Sequence, residues 1–229
     1  MKTLGLIGGT SWVSTMDYYR YINLGINERL GGLNYAHCIL HSFCYADVKA
    51  LMDVGDFDGV YEMFSKACLH LKQGGVEGIV LCANTMHMFA DKLEQRVELP
   101  VIHIATATAN AIKAQQLDRV AMLGTKFTME KDFFKDKLTG QGIEMMIPGE
   151  EDKDFIHSSI FDEMGKGIFT PATKARYISI IENLVSNGAQ GVILGCTEIP
   201  MLLSQEDVSV PVFDTTKLHA EAAVAFCLG

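Results

Sequence analysis

The sequence lacks a surplus of basic charge, has few prolines and carries no long apolar run. Lys and Arg number 19 against 28 Asp and Glu, for a formal net charge of −9. A chain of that sign offers no basic footprint to a polyphosphate partner, so nucleic acid is not expected. No uninterrupted apolar stretch approaches the roughly 18 residues that a membrane span needs, and no membrane partner is expected either. The apolar opening of Leu4, Leu6 and Ile7 gives way to Gly8-Gly9, too early for the core of a signal peptide. The reading is a cytoplasmic protein. Its 6 cysteines, Cys38, Cys44, Cys68, Cys82, Cys196 and Cys227, are scattered without a framework spacing, so reduced thiols are expected and thiol chemistry is available. Only 5 prolines stand beside 21 glycines, a balance that fits tight turns in a compact fold rather than a low-complexity tail.

With 229 residues, 48% of them apolar and 21% charged, the chain can bury a sizeable core, and disorder is excluded. Short apolar runs recur at 4–7, 38–40, 78–81, 101–104, 120–123, 192–194 and 210–213. Between most of them lie stretches at helical spacing, such as 18–30 and 60–71, each closing near a glycine. Strand runs that are apolar on both faces and alternate with helices predict an α/β fold, its parallel sheet covered on each side. The chain also repeats itself. Leu4-Gly5-Leu6-Ile7-Gly8-Gly9-Thr10 matches Val120-Ala121-Met122-Leu123-Gly124-Thr125 in type, and Gly78-Ile79-Val80-Leu81-Cys82 runs beside Gly191-Val192-Ile193-Leu194-Gly195-Cys196, the cysteine displaced by one place. A unit of half the chain predicts two similar lobes rather than a solenoid. The acidic stretch 149–154 reads as a solvated loop before a helix from Phe155, and Thr170-Pro171 as the cap and first position of a helix running toward Asn187.

In a parallel α/β sheet the ligand crevice lies beyond the carboxyl ends of the strands. Cys82 and Cys196 both fall there, each followed by residues able to cap a helix: Asn84-Thr85 and Thr197-Glu198. A helix N-terminus favours thiolate, so both thiols are expected to have lowered pKa values. Inverting a carbon stereocentre by proton transfer needs one group on each face of that carbon, and two like acid–bases at equivalent strand ends meet the demand. Backbone amides of the Gly8-Gly9-Thr10-Ser11 loop, with Asn84, Thr85 and Thr197, are the natural donors to a substrate carboxylate.

The segments Gly5-Leu6-Ile7-Gly8-Gly9-Thr10-Ser11-Trp12 with Ser14-Thr15 and Tyr18-Tyr19, Leu81-Cys82-Ala83-Asn84-Thr85-Met86-His87, Gly195-Cys196-Thr197-Glu198-Ile199-Pro200 and Pro211-Val212-Phe213-Asp214-Thr215 together resemble the aspartate/glutamate racemase family. The resemblance spans essentially the whole chain. It implies two lobes related by a pseudo-two-fold, residues 1–98 with 209–229 and residues 99–208, with the active site in the cleft between them. It further implies 1,1-proton transfer at an amino-acid α-carbon by Cys82 and Cys196, with no metal, no pyridoxal phosphate and no other cofactor, and a homodimer. Glutamate racemases usually carry a histidine directly after the second Cys-Thr; Glu198 here favours the aspartate and broader-specificity branch. The expected substrate contacts are Thr10, Ser11, Asn84, Thr85, Lys166, Thr197 and Glu198, with Lys166 and Lys49 the candidates to receive a side-chain carboxylate. Two other readings stand beside this one: a related carbon-acid isomerase or decarboxylase, and a non-catalytic amino-acid-binding protein.

Other features carry less. Gly5-x-x-Gly8-Gly9 lacks the order of a dinucleotide fingerprint, so no nicotinamide cofactor is expected. On an extended strand Cys38 and Cys44 share a face that His41 does not, which argues against a metal site. His87 stands outside the catalytic set, as a histidine that satisfies a loop carbonyl. Trp12 and Tyr18-Tyr19 read equally as a lid, a subunit contact or core anchors.

Overall fold

The structure is a computed structural model describing residues 1–229. It contains two four-stranded sheets, both wholly parallel. The first is built from β1 (Leu4–Gly8), β2 (Cys38–Ser42), β3 (Gly78–Leu81) and β4 (Val101–Ile102), in the order β2-β1-β3-β4. The second is built from β5 (Arg119–Leu123), β6 (Glu144–Met146), β7 (Val192–Leu194) and β8 (Val212–Asp214), in the order β6-β5-β7-β8. The two orders are the same once numbered within each sheet, which is the repeat seen in the sequence. Parallel neighbours require crossovers, and helices supply them. Central strands β1, β3 and β7 are buried along their whole length, as expected of strands covered on both faces.

Contacts divide the chain into one unit of Met1–His103 with His219–Gly229, and a second of Ile104–Leu218. The family resemblance implies these divisions at 98/99 and 208/209. Strand pairing moves them. Val101 pairs with Ile79 and so keeps β4 in the first unit, while Val212 pairs with Val192 and keeps β8 in the second. The chain returns to the first unit only within the Thr215–Leu228 helix, whose Ala220, Ala223, Val224 and Cys227 enter a core of that unit.

In the first unit the two faces of the sheet feed two separate cores, and the period of two in a strand sorts the side chains between them. Ile7, Ile79 and Leu81 join Phe64, Leu71 and Leu93 on one face. Leu4, Leu6, Val80 and Cys82 join Tyr18, Ile22 and Ile26 of the Trp12–Leu30 helix on the other. Cys82 therefore follows the alternation of β3 into an apolar layer. The second unit has one continuous core, in which Val120–Leu123 side chains, Val192, Ile193 and Leu194 meet Phe134, Ile156 and Tyr177.

Three local expectations change. The apolar run at 101–104 is strand only to Ile102, because Ile104 opens the Ile104–Ala114 helix. Strand β6 has no counterpart among the apolar runs; it is a three-residue edge strand with an exposed first residue, too short to leave an alternating pattern. The acidic stretch is not a solvated loop but the first turn of the Glu150–Asp162 helix, capped by Gly149. Glu150, Glu151 and Asp152 sit at the positive end of that helix, where carboxylates are favoured. The helix expected after Thr170 is present as Pro171–Ser186, with the Thr170 hydroxyl accepting from the Thr173 amide at 3.0 Å. No helix is long and apolar enough to cross a membrane.

Candidate active site

In the first unit the strand-end cysteine is held by a small set of hydrogen bonds. The Cys82 amide extends the sheet by donating to the Ile7 carbonyl at 2.9 Å. Its own carbonyl accepts from the Ser14 hydroxyl at 2.7 Å. Ser14 lies in the first turn of the Trp12–Leu30 helix, which is capped by the Ser11 hydroxyl at 3.2 Å from the Ser14 amide. One residue on, the Thr15 hydroxyl accepts from the Gly9 amide at 3.0 Å and donates to the Ser11 carbonyl at 2.7 Å. Gly9 has φ +87°, and a Cβ there would collide with the Phe43 backbone, so only glycine carries the chain through this turn. The Gly8–Ser11 loop and Cys82 are thus tied through two hydroxyls to which the sequence pattern assigns no role. Their signal was present as hydroxyls three and four residues beyond Ser11.

Cys82 is 1% exposed, and burial pushes its thiol well above the ordinary value, with the Cys38 thiol adding to the effect. This overturns the expected lowering by a helix N-terminus. The chain leaves Cys82 in a five-residue 3-10 turn, Thr85–Phe89, and Asn84 makes no side-chain cap to it; desolvation then outweighs the dipole. Asn84 is buried and Thr85 partly buried. His87 does satisfy a loop carbonyl, with its Nδ1 3.0 Å from the Ala83 oxygen.

In the second unit the topological counterpart of Cys82 is Gly195, whose amide donates to the Leu123 carbonyl at 2.7 Å. A Cβ at Gly195 would stand 2.7 Å from the Met122 sulfur and 3.1 Å from the Leu123 carbonyl oxygen, so a side chain at this strand end would have to displace its neighbours. The thiol is supplied one residue later. Cys196 is partly buried, and its Sγ donates to Glu198 Oε2 at 2.8 Å; the Thr197 hydroxyl donates to the same oxygen at 3.0 Å. Burial, then the Glu198 charge, push this thiol well above its ordinary value. The lowering expected here is overturned as well: the next helix, Ile199–Leu202, has only four residues. Behind it the Leu194 carbonyl accepts from Thr215 Oγ1 at 2.9 Å, a second hydroxyl bonded to a carbonyl near a strand end, here from the helix that follows β8.

The other expected contacts are less tightly built. Thr10 and Ser11 are partly exposed on the first loop. Lys166 ends the Met164–Lys166 3-10 turn, 62% exposed, with its ammonium 3.7 Å from Asp162. Lys49 is also exposed and pairs with Asp53 at 2.6 Å. Both lysines therefore face surface carboxylates, and neither is desolvated. Trp12 and Tyr19 are 69% and 54% exposed, while Tyr18 is a core residue.

Residues 7–223 match the family model described as Asp/Glu/Hydantoin racemase. A Yersinia pestis protein of known structure, provisionally described as an Asp/Glu racemase, is 44% identical with TM-score 0.97, each chain covered in full. An aspartate racemase homologue from Pyrococcus horikoshii is 32% identical with TM-score 0.88, again over the whole of both chains. The broad specificity amino-acid racemase RacX of Bacillus subtilis is 23% identical over 97% of this chain and 96% of its own. With a family model matched over nearly its whole length and the same parallel strand order in both units, the chain belongs to the Asp/Glu/hydantoin racemase family of isomerases.

Proposed function

We propose that this enzyme racemises aspartate, glutamate or both without a cofactor, using Cys82 and Cys196 as its two acid–base groups. The carrying observation is that in each sheet the strand third in sequence order leads to a thiol, at Cys82 and at Cys196. Inversion at an α-carbon needs a proton removed from one face and another delivered to the opposite face. The relatives named as a broad-specificity amino-acid racemase and an aspartate racemase homologue support that substrate class.

Both thiols start protonated, as their burial favours. The Glu198 carboxylate takes the Cys196 proton, the resulting thiolate takes the α-proton, and the Cys82 thiol delivers its proton to the other face. One O–H, one S–H and one C–H bond form while two S–H bonds and one C–H bond break, with no change in oxidation state. Solvent returns the Glu198 proton to Cys82. Thr10, Ser11, Asn84, Thr85 and Thr197 are assigned to the substrate carboxylate and ammonium, and Lys166, released from Asp162, to a side-chain carboxylate.

Incubating L- and D-amino acids in D₂O tests this. Expected are α-deuterium in both enantiomers of an acidic amino acid and conversion of each into the other. Binding by calorimetry without deuterium incorporation would make the protein a non-catalytic amino-acid binder, and a decarboxylated or constitutionally isomeric product would make it a different carbon-acid enzyme.

All 6 cysteines are unpaired, which supports the cytoplasm as its compartment. The proposed homodimer has a candidate face on the Trp12–Leu30 helix. Trp12, Met16, Tyr19 and Leu30 share one side of that helix and are 69%, 61%, 54% and 48% exposed. At ~200 Å² a side chain they offer roughly 450 Å², over half of the ~800 Å² per partner of a stable interface. Light scattering should give a dimer that Trp12→Lys converts to a monomer; a monomeric parent removes the proposal.

A further inference from the structure

Three histidines and a tyrosine that the mechanism does not use are gathered behind the Cys82 strand end. His87 and His219 are 2% and 0% exposed, Tyr18 is 1% exposed, and His103 is partly buried beside them. The His87 ring meets His219 edge-on, centroids 4.9 Å apart at 72°, and lies 5.1 Å from the His103 ring. Carbonyl oxygens only accept, and this fixes both buried tautomers. His219 Nε2 is 2.6 Å from the Ile102 carbonyl, so Nε2 carries the proton, and Nδ1 accepts from the Tyr18 hydroxyl at 2.7 Å. His87 Nδ1 is 3.0 Å from the Ala83 carbonyl and carries its proton there, leaving Nε2 buried and without a hydrogen-bond partner.

From this arrangement we propose that His87 is a positioning residue for Cys82, fixing the backbone just beyond the sulfur through the Ala83 carbonyl. It rests on the reading of Cys82 as an acid–base group. Three backbone groups around the thiol are then tied. The Cys82 amide is bound to Ile7, the Cys82 carbonyl to Ser14, and the Ala83 carbonyl to His87. The first two bonds belong to the sheet and to the glycine-turn helix. The third is the only one of the three supplied by the turn just beyond the thiol itself. His219 works one step further back: anchored to β4 through Ile102 and to the Trp12–Leu30 helix through Tyr18, it blocks rotation of the His87 ring.

The network works only uncharged. The titratable groups against the His87 ring are His219 on the Thr215–Leu228 helix and His103 after β4, with Tyr18 of the Trp12–Leu30 helix behind His219, and no carboxylate is among the causes acting on either buried histidine. A second proton on His87 would sit on a buried nitrogen that makes no hydrogen bond, and desolvation, outweighing the nearby backbone carbonyls, holds His87 down at about 4.

Two variants separate the N–H bond from simple packing. Leucine at 87 keeps an apolar side chain of moderate size and removes the donor; asparagine places an amide nitrogen where Nδ1 stands. Expected for His87→Leu is a loss of about 10²-fold in kcat for α-proton exchange with KM little changed, the effect of a reacting group displaced by about 1 Å. Expected too is faster alkylation of Cys82, read by mass spectrometry at that cysteine. His87→Asn should recover most of both. Parental kcat in His87→Leu, a raised KM with unchanged kcat, or an asparagine variant no better than leucine would each overturn the proposal. Should His87→Leu fail to fold, asparagine against glutamine decides, since the glutamine amide lies one carbon too far; equal rates overturn it. If no amino acid exchanges its α-proton with the parent protein, the racemase reading fails, while the alkylation rates still decide whether His87 holds Cys82.

Discussion

Cys82 and Cys196 occupy corresponding ends of two sheets with the same strand order, yet their surroundings differ in kind. Cys82 continues the alternation of β3 into an apolar core, with no side chain bonded to its sulfur and only the Val80 carbonyl at 3.9 Å. Cys196 stands one residue past the equivalent point, where Gly195 has taken the strand-end position, and its sulfur is bonded to a carboxylate. A single inserted step in register therefore moves a thiol out of the core layer and into reach of Glu198. Two thiols made alike by the fold become unlike acids. Cys82 has nowhere nearby to send its proton, whereas Cys196 has a base 2.8 Å away.

The strongest way to break this comparison is to remove each sulfur in turn. Cys82→Ser and Cys196→Ser should each lower racemisation by more than ~10³-fold, because a serine hydroxyl is a far weaker acid than a thiol. Each variant should still exchange the α-proton of one enantiomer, and of opposite enantiomers in the two cases. Parental racemisation in both would end the two-thiol assignment. Glu198→Gln sharpens the difference further. It should reduce kcat about 10²-fold by removing a general base, yet lower the pH at which Cys196 is alkylated, because the carboxylate charge that opposes thiolate is gone. The alkylation midpoint of Cys82, which has no such neighbour, should stay where it is. Equal movement of both midpoints would show that the carboxylate acts on neither thiol specifically.

Acid separates the two units next. His87 and His219 are both held below the ordinary histidine value by burial, His87 at about 4. The folded state keeps them neutral while the unfolded chain takes up protons below pH 6.5, so their contribution to stability is complete above 6.5. It is lost as pH falls from 6.5 toward 4. For His87 alone the loss is roughly 3 kcal/mol. Both residues belong to the first unit. Amide hydrogen exchange between pH 7 and 4 should therefore accelerate in residues of the first unit by more than in the second, and His219→Phe should flatten the dependence. Equal acceleration in both units would refute it.

Much of the architecture was legible because the physics that makes it is local. Runs such as Gly78–Leu81 and Val192–Leu194 are buried on both faces, so every residue is apolar and the strand announces itself. The Thr170-Pro171 cap carries its own signal for the same reason. The unit boundaries were displaced because they depend on which strands pair, and Val101 and Val212 read alike until their partners are known. At the site, the cysteines were legible but their ionisation was not. The expected dipole effect needed well-formed helices after each thiol, and the chain forms a five-residue 3-10 turn and a four-residue helix there. The hydroxyls of Ser14 and Thr215 were visible but their partners were not: a serine or threonine bonded to a distant carbonyl is indistinguishable in sequence from one bonded to water.

Those two tethers give the last and smallest test of the comparison. Ser14 Oγ and Thr215 Oγ1 each donate to a carbonyl near a strand end, that of Cys82 at 2.7 Å and that of Leu194 at 2.9 Å. Both hydroxyl residues are buried, Ser14 at 1% and Thr215 at 0% exposure. Removing either donor leaves a buried carbonyl without that partner, a cost of about 1–3 kcal/mol. Ser14→Ala and Thr215→Val should thus lower stability in urea by similar amounts, since each bond satisfies one carbonyl near a strand end with a buried hydroxyl. Their catalytic effects should diverge. In the first unit the bonded carbonyl belongs to the cysteine itself, so Ser14→Ala should also lower kcat. In the second it lies two residues before the cysteine, with Gly195 between, so Thr215→Val should leave kcat closer to the parental value. A larger kcat loss from Thr215→Val would mean that the second strand end, not the first, is the more finely held.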